Sequence, residues 1–154
     1  MKNKKIILIG CAVLLFAVAV VGLSALYPRI SGMMLRQKTM NRLSEMNYLS
    51  YAVINDNRVN HLGGEYRTTD ADECRKVLTL VKGALKSSRY KSSKDNIFGS
   101  FCLIVRISDD DDEVRLWFYE DRIELENGKK IAIYETADSK VYETLLGYTE
   151  DKAQ

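Results

Sequence analysis

The chain is poor in the groups that do chemistry. It has one histidine, His61, beside Leu62-Gly63-Gly64. A Ser-His-Asp triad needs a base held by a carboxylate and a nucleophile within reach. No G-x-S-x-G elbow or other nucleophile motif accompanies His61, and the run lacks the glycine that directly follows the histidine in an HGGG oxyanion loop. His61 therefore reads as a loop residue. The three cysteines, Cys11, Cys74 and Cys102, make no C-x-x-C pair, whereas a zinc site needs three or four N/S ligands. The acidic run 109–113 has Val114 where a calcium loop needs its glycine, so it reads as a solvated hairpin loop. No low-complexity stretch and no solenoid-period repeat occurs. These absences exclude recognisable hydrolase, zinc and EF-hand chemistry. The expectation is a chain with no catalytic residues, no metal site and no cofactor.

Charge is nearly balanced over 154 residues, at a formal +2. The balance hides a split. Residues 1–47 carry seven Lys/Arg and one acid, and residues 95–154 carry seven bases and fifteen acids. A nucleic-acid-binding domain is basic as a whole, so nucleic acid is not an expected partner.

What is present begins with a long apolar run. Residues 6–26 contain no charge. About 21 helical residues span roughly 31 Å, the thickness of a hydrocarbon core. Lys2, Lys4 and Lys5 form a positive region ahead of it, as in a signal peptide or signal anchor. The run exceeds the 7–15 residues of a cleaved h-region, so an uncleaved anchor is the favoured reading. A cleaved signal, ending near Gly22-Leu23-Ser24 or Ala25, is the alternative. Leu8-Ile9-Gly10-Cys11 resembles a lipobox, but the apolar run ahead of the cysteine, Ile6 to Gly10, is short and the run continues past it. Lysines close to the N-terminal side of the span place that end inside and the C-terminal end outside.

The organisation expected is a cytoplasmic n-region at 1–5, a transmembrane anchor at 6–27, and a partly helical juxtamembrane connector at 28–47. An extracytoplasmic domain at 48–150 and a tail at 151–154 follow. Pro28 should close the span, since proline cannot continue the hydrogen-bond ladder. In the connector, Met33, Met40, Leu43 and Met46 fall near helical spacing, and Arg36, Lys38 and Arg42 should lie among headgroups.

Within the domain, residues 48–55 read as a strand. Asp70 and Glu73 form a capping-box pattern ahead of an apolar stripe at Cys74, Val77, Leu78, Val81 and Leu85. The Ser/Lys/Arg stretch 86–94 reads as a solvated loop. A four-stranded antiparallel meander should follow. Ile107 faces Val114, Val105 faces Leu116, Leu103 faces Phe118, and Phe118 faces Ile123, because these registers align the apolar faces. A three-residue loop around Asn127-Gly128 would set Leu125 against Ile131 and Ile123 against Ile133. A short helix near 138–146 ends at Gly147. The fold class is thus α+β: a transmembrane helix, then a small domain with a four-stranded meander, an additional N-terminal strand and two packing helices.

The meander's second face is the most informative feature. Ile104 should lie opposite Trp117, Cys102 opposite Tyr119, Arg122 opposite Tyr134, and Arg115 opposite Glu126 as an ion pair. Aromatic rings between charges make a binding surface. The candidate partner-binding face is Ile104, Arg106, Arg115, Trp117, Tyr119, Arg122 and Tyr134. Cys74 and Cys102 fall on opposite faces, which disfavours a disulfide between them.

This order of elements behind one N-terminal span resembles small single-span membrane-anchored α+β proteins of Gram-positive bacteria. The resemblance implies a cell-membrane location and carries over no activity and no residue role. Its expected partners are the lipid bilayer, through residues 6–27, and a cell-envelope protein. The function expected is a non-catalytic interaction or regulatory domain held outside the membrane. An immunity or inhibitor protein held at the surface is the alternative, and an unrecognised hydrolase is a third.

Overall fold

The computed structural model describes residues 2–46, 49–57, 64–95, 102–109, 112–127, 130–136 and 139–150, with side chains from residue 13 onward except at 95 and 127. His61 and residues 110, 111, 128 and 129 lie outside these segments.

Helix α1 (Lys2–Glu45) is a single helix of 44 residues, about 66 Å long. It runs through Pro28, where the span was expected to close. Pro28 has no N–H to donate to the carbonyl of Ser24, yet the helix continues on both sides. Along its N-terminal part Leu14, Phe16, Val21 and Leu23 are exposed, and this is a helix long and apolar enough to cross a membrane. The stretch expected as a partly helical connector is helical without a break to Glu45, and it belongs to the core. Leu43 and Met46 are buried among the domain's own apolar residues, with Leu35 and Met40 packed beside them.

The polar contacts of three side chains, Tyr134, Arg36 and Arg42, fix this attachment. The Tyr134 hydroxyl donates to the Gly32 carbonyl at 2.7 Å. Arg36 donates to the carbonyl of Ser88. Arg42 holds Asp112 through two bonds, one of them Nε to Oδ2 at 2.7 Å, and also donates to the Glu113 carbonyl at 3.0 Å. The bases expected among headgroups at positions 36 and 42 are therefore engaged by the domain. Gly32 is required by close approach: a Cβ there would fall inside the Tyr90 ring.

The expected four-stranded meander is not the sheet that forms. The sheet has seven strands: β1 (Leu49–Asp56), β2 (Glu65–Thr68), β3 (Arg89–Asp95), β4 (Leu103–Asp109), β5 (Glu113–Phe118), β6 (Arg122–Asn127) and β7 (Lys130–Glu135). Their order is β2-β1-β4-β5-β6-β7-β3, and every pairing is antiparallel. The largest correction is β3, which occupies the supposed solvated loop. It is an edge strand, where lysines and serines are tolerated because one side makes no ladder.

Register on β4 and β5 is as expected, with Leu103 opposite Phe118, Val105 opposite Leu116 and Ile107 opposite Val114. Phe118 also faces Ile123. The last hairpin differs. Leu125 pairs with Ala132 and Ile123 with Tyr134, with two residues rather than three between the strands. This register sends Tyr134 and Ala132 inward and Ile131 and Ile133 outward. The inward tyrosine satisfies its hydroxyl on α1, a partner that the strand pattern alone does not reveal.

Helix α2 (Ala71–Ser87) begins at Asp70, whose carboxylate accepts from the amides of Asp72 at 3.1 Å and Glu73 at 2.9 Å. The reciprocal half of the capping box does not form. The Asp70 amide goes to Thr68 Oγ1 at 3.1 Å, and Glu73 pairs with Lys76 at 2.7 Å. The stripe Cys74, Val77, Leu78, Val81 and Leu85 is buried. Helix α3 (Lys140–Glu150) runs through Gly147, where the sequence was expected to stop it. All three helices contribute to one core on the inner face of the sheet.

Candidate functional site on the outer face of the sheet

The strands alternate, so each sends every second side chain to the face away from the helices. Pairing aligns those residues into rows. One row reads Glu65, Asn55, Ile104, Trp117, Glu124 and Ile133 across β2, β1, β4, β5, β6 and β7. The next reads Arg67, Val53, Arg106 and Arg115 across β2, β1, β4 and β5. Ile104 opposite Trp117 is the pairing read from the sequence.

At one end the face closes into a second small core. Cys102, Trp117 and Tyr119 are buried together, with Ile104 packed against them. Trp117 is only 5% exposed. Arg122 lies over the Tyr119 ring, 3.8 Å from its centroid, and covers it. Beneath is Glu124, 1% exposed. Its Oε1 accepts from Lys94 Nζ at 2.8 Å and from Arg122 Nε at 3.0 Å, and its Oε2 accepts from the Tyr119 hydroxyl at 3.4 Å. A buried carboxylate persists only when paired and hydrogen-bonded, and this one is both. Desolvation raises the Tyr119 hydroxyl and the Cys102 thiol above their ordinary pKa values, so both stay protonated at neutral pH. Cys102 is thus a buried thiol rather than a reactive thiolate. Cys74 is free and buried on the opposite face.

The other end is open and cationic. Asn55, Ile104, Arg106, Arg115 and Trp117 line a cleft of about 250 Å³. Arg106 and Arg115 are directly opposite each other across β4 and β5. Like charges in that relation are destabilising. Two polar neighbours orient them. Arg106 Nη2 donates to Asn55 Oδ1 at 3.1 Å, while Asn55 Nδ2 donates to Glu65 at 2.6 Å. Arg115 Nη2 donates to Glu113 Oε1 at 3.1 Å, not to Glu126 as the strand pattern implied. The Tyr51 hydroxyl donates to the other Glu113 oxygen at 2.6 Å. That bond, aided by Arg115, holds the Glu113 carboxyl below its ordinary pKa despite partial burial. Arg67 stacks over Tyr51, 5.5 Å from the ring centroid. Each guanidinium has five N–H donors and uses few of them here, so planar donor groups remain for an anion.

Of the seven residues singled out in the sequence, Ile104, Arg106, Arg115 and Trp117 line this cleft. Tyr119 and Arg122 belong to the small core beside it. Tyr134 is a correction: it lies on the inner face, fully buried, and serves the attachment of α1. Tyr51, Asn55, Arg67 and Glu124 were missed. Alternation along 51–55 carried the signal for the first two, but only the β1–β4 pairing brings them to the site.

Larger hollows lie elsewhere. One of about 700 Å³ separates α2 from α3, and one of about 510 Å³ lies between α1 and β5. Neither sets like charges opposite each other in register. Among the described residues no group of three His, Cys, Asp or Glu side chains is placed to hold a metal. Comparison with protein-family models, with curated proteins and with solved structures finds no match.

Proposed function

We propose that the protein is a single-span membrane protein whose folded domain works by binding, and that the outer-face cleft takes an acidic segment of a cell-envelope protein. The observation that carries this reading is the juxtaposition of Arg106 and Arg115 beside Trp117. Two guanidinium groups aimed at one cleft give bidentate geometry for carboxylates. A wall already packed by Trp117 and Ile104 needs no reordering when the partner arrives. The anchor reading is supported by the exposed apolar surface of α1, which requires lipid or other apolar cover. The N-terminal lysines favour an outward-facing domain, so the partner sought is extracytoplasmic.

Affinity capture from solubilised membranes tests the reading with a matched pair. The native chain should retain a stoichiometric protein through an acidic segment, and the double variant Arg106→Gln with Arg115→Gln should lose it while staying folded. A partner retained equally by both would remove the cleft from the function. Protease shaving of intact cells tests the location: fragments of the domain should be released without opening the membrane.

A further inference from the structure

A second cationic groove lies where α1 leaves its apolar stretch. Pro28 and Arg29 on α1 face Tyr90, Lys91, Ser92 and Ser93 on β3 across a hollow of about 560 Å³. The position follows from distance. Residues 6–27 cover about 33 Å of helix, a full hydrocarbon thickness. The headgroup layer beyond it is roughly 5–7 Å deep, or about four helical residues. Arg29 and the groove fall in that layer, and Gly32, where the sheet first grips the helix, lies at its upper edge.

We propose that this groove seats the headgroup of an anionic phospholipid of the same bilayer, an inference that rests on the membrane-spanning reading of α1. Charge complementarity carries it. Arg29 is exposed and makes no ion pair with a described residue. Lys91 gives one N–H to Glu135 at 3.0 Å and has two more donors. Ser92 and Ser93 add hydroxyl donors for phosphate oxygens, and both are exposed. Tyr90 and Pro28 give an apolar floor for the glycerol and upper acyl carbons, as aromatic residues do at membrane interfaces. Of the bases nearer the domain, Arg36 and Arg42 are bonded to it, and Lys38 lines the separate hollow between α1 and β5. Strand β3 is the sheet's edge beside the helix exit, so the headgroup also covers an otherwise open edge.

The test uses the full chain in nanodiscs of phosphatidylcholine alone or mixed with phosphatidylglycerol. Native mass spectrometry then counts lipids that survive release into detergent. The native chain should keep one phosphatidylglycerol in preference to phosphatidylcholine. Arg29→Gln and Lys91→Gln should each weaken that preference roughly fivefold, since a basic group near an anionic surface is worth about that factor. Both side chains are exposed, so thermal unfolding should be unchanged and serves as the fold control. Equal retention of both lipids, or undiminished preference in the double variant, overturns the proposal while leaving the anchor intact. Release of the chain from membranes by carbonate overturns both.

Discussion

At the scale of single residues, Arg106 and Arg115 are opposed on a sheet face where an oppositely charged pair would be more stable. Arg106→Gln keeps a donor for Asn55 and removes the repulsion. The variant should unfold at the native temperature or slightly above it, by tenths of a kcal/mol at most, yet lose binding. Thermal denaturation beside partner capture reads both quantities, and a destabilised variant would show that the arginine has a structural role instead. Trp117 behaves differently. Its ring is part of the small outer core, so Trp117→Ala should cost about 3–5 kcal/mol in a denaturant titration. Loss of binding in that variant would therefore say little about contact with a partner. Ile104 opposite Trp117 was legible because alternation fixes side-chain direction once register is known. Tyr134 was not, because its inward turn depends on the Gly32 carbonyl, 102 positions away in the chain. Glu124 was passed over because a charged residue between two core leucine-type neighbours reads as solvated, until Lys94 and Arg122 are seen to close over it.

At the scale of elements, the attachment of α1 to the sheet is the unusual feature. Gly32→Ala forces the new methyl into the Tyr90 ring and should cost about 1–3 kcal/mol, measured as a lower unfolding midpoint. The Arg42–Asp112 clamp adds a pH dependence. The Arg42 hydrogen bonds lower the Asp112 pKa, so the folded state binds the proton less readily than the unfolded chain does. Its contribution is complete above the ordinary aspartate range near pH 4 and fades as pH falls through the lower, folded value. Both side chains are about two-fifths exposed, at 39% and 40%, so the effect is at most about 1 kcal/mol. A melting series in acid should show a drop that Asp112→Asn lacks, and an identical drop in the variant would assign it to other carboxylates. Two elements escaped the sequence for physical reasons. Strand β3 is an edge, and an edge has no need of apolar alternation. Continuity through Pro28 escaped because the cost of a proline inside a helix, about 3 kcal/mol from the lost hydrogen bond and the ring's clash with the preceding turn, is weighed against the packing of Leu35, Met40 and Leu43 beyond it. The α2 stripe and the β4–β5 register were legible, since both depend on local period alone.

At the scale of the whole molecule, the long apolar helix and the domain form one body. Residues of α1 are built into the core that the sheet and the other two helices share. The domain therefore holds a fixed orientation to α1, with β3 beside the helix and β2 at the far edge of the sheet. A face on such a body presents its cleft in one direction relative to the axis of α1, unlike a domain on a flexible tether. Hydrogen exchange of the full chain in nanodiscs tests this most directly. Amides of residues 30–45 should exchange as slowly as those of β4 and β5, because they open only with the core. Fast exchange across 30–45, between a protected span and a protected sheet, would make that stretch a free connector and contradict the single body.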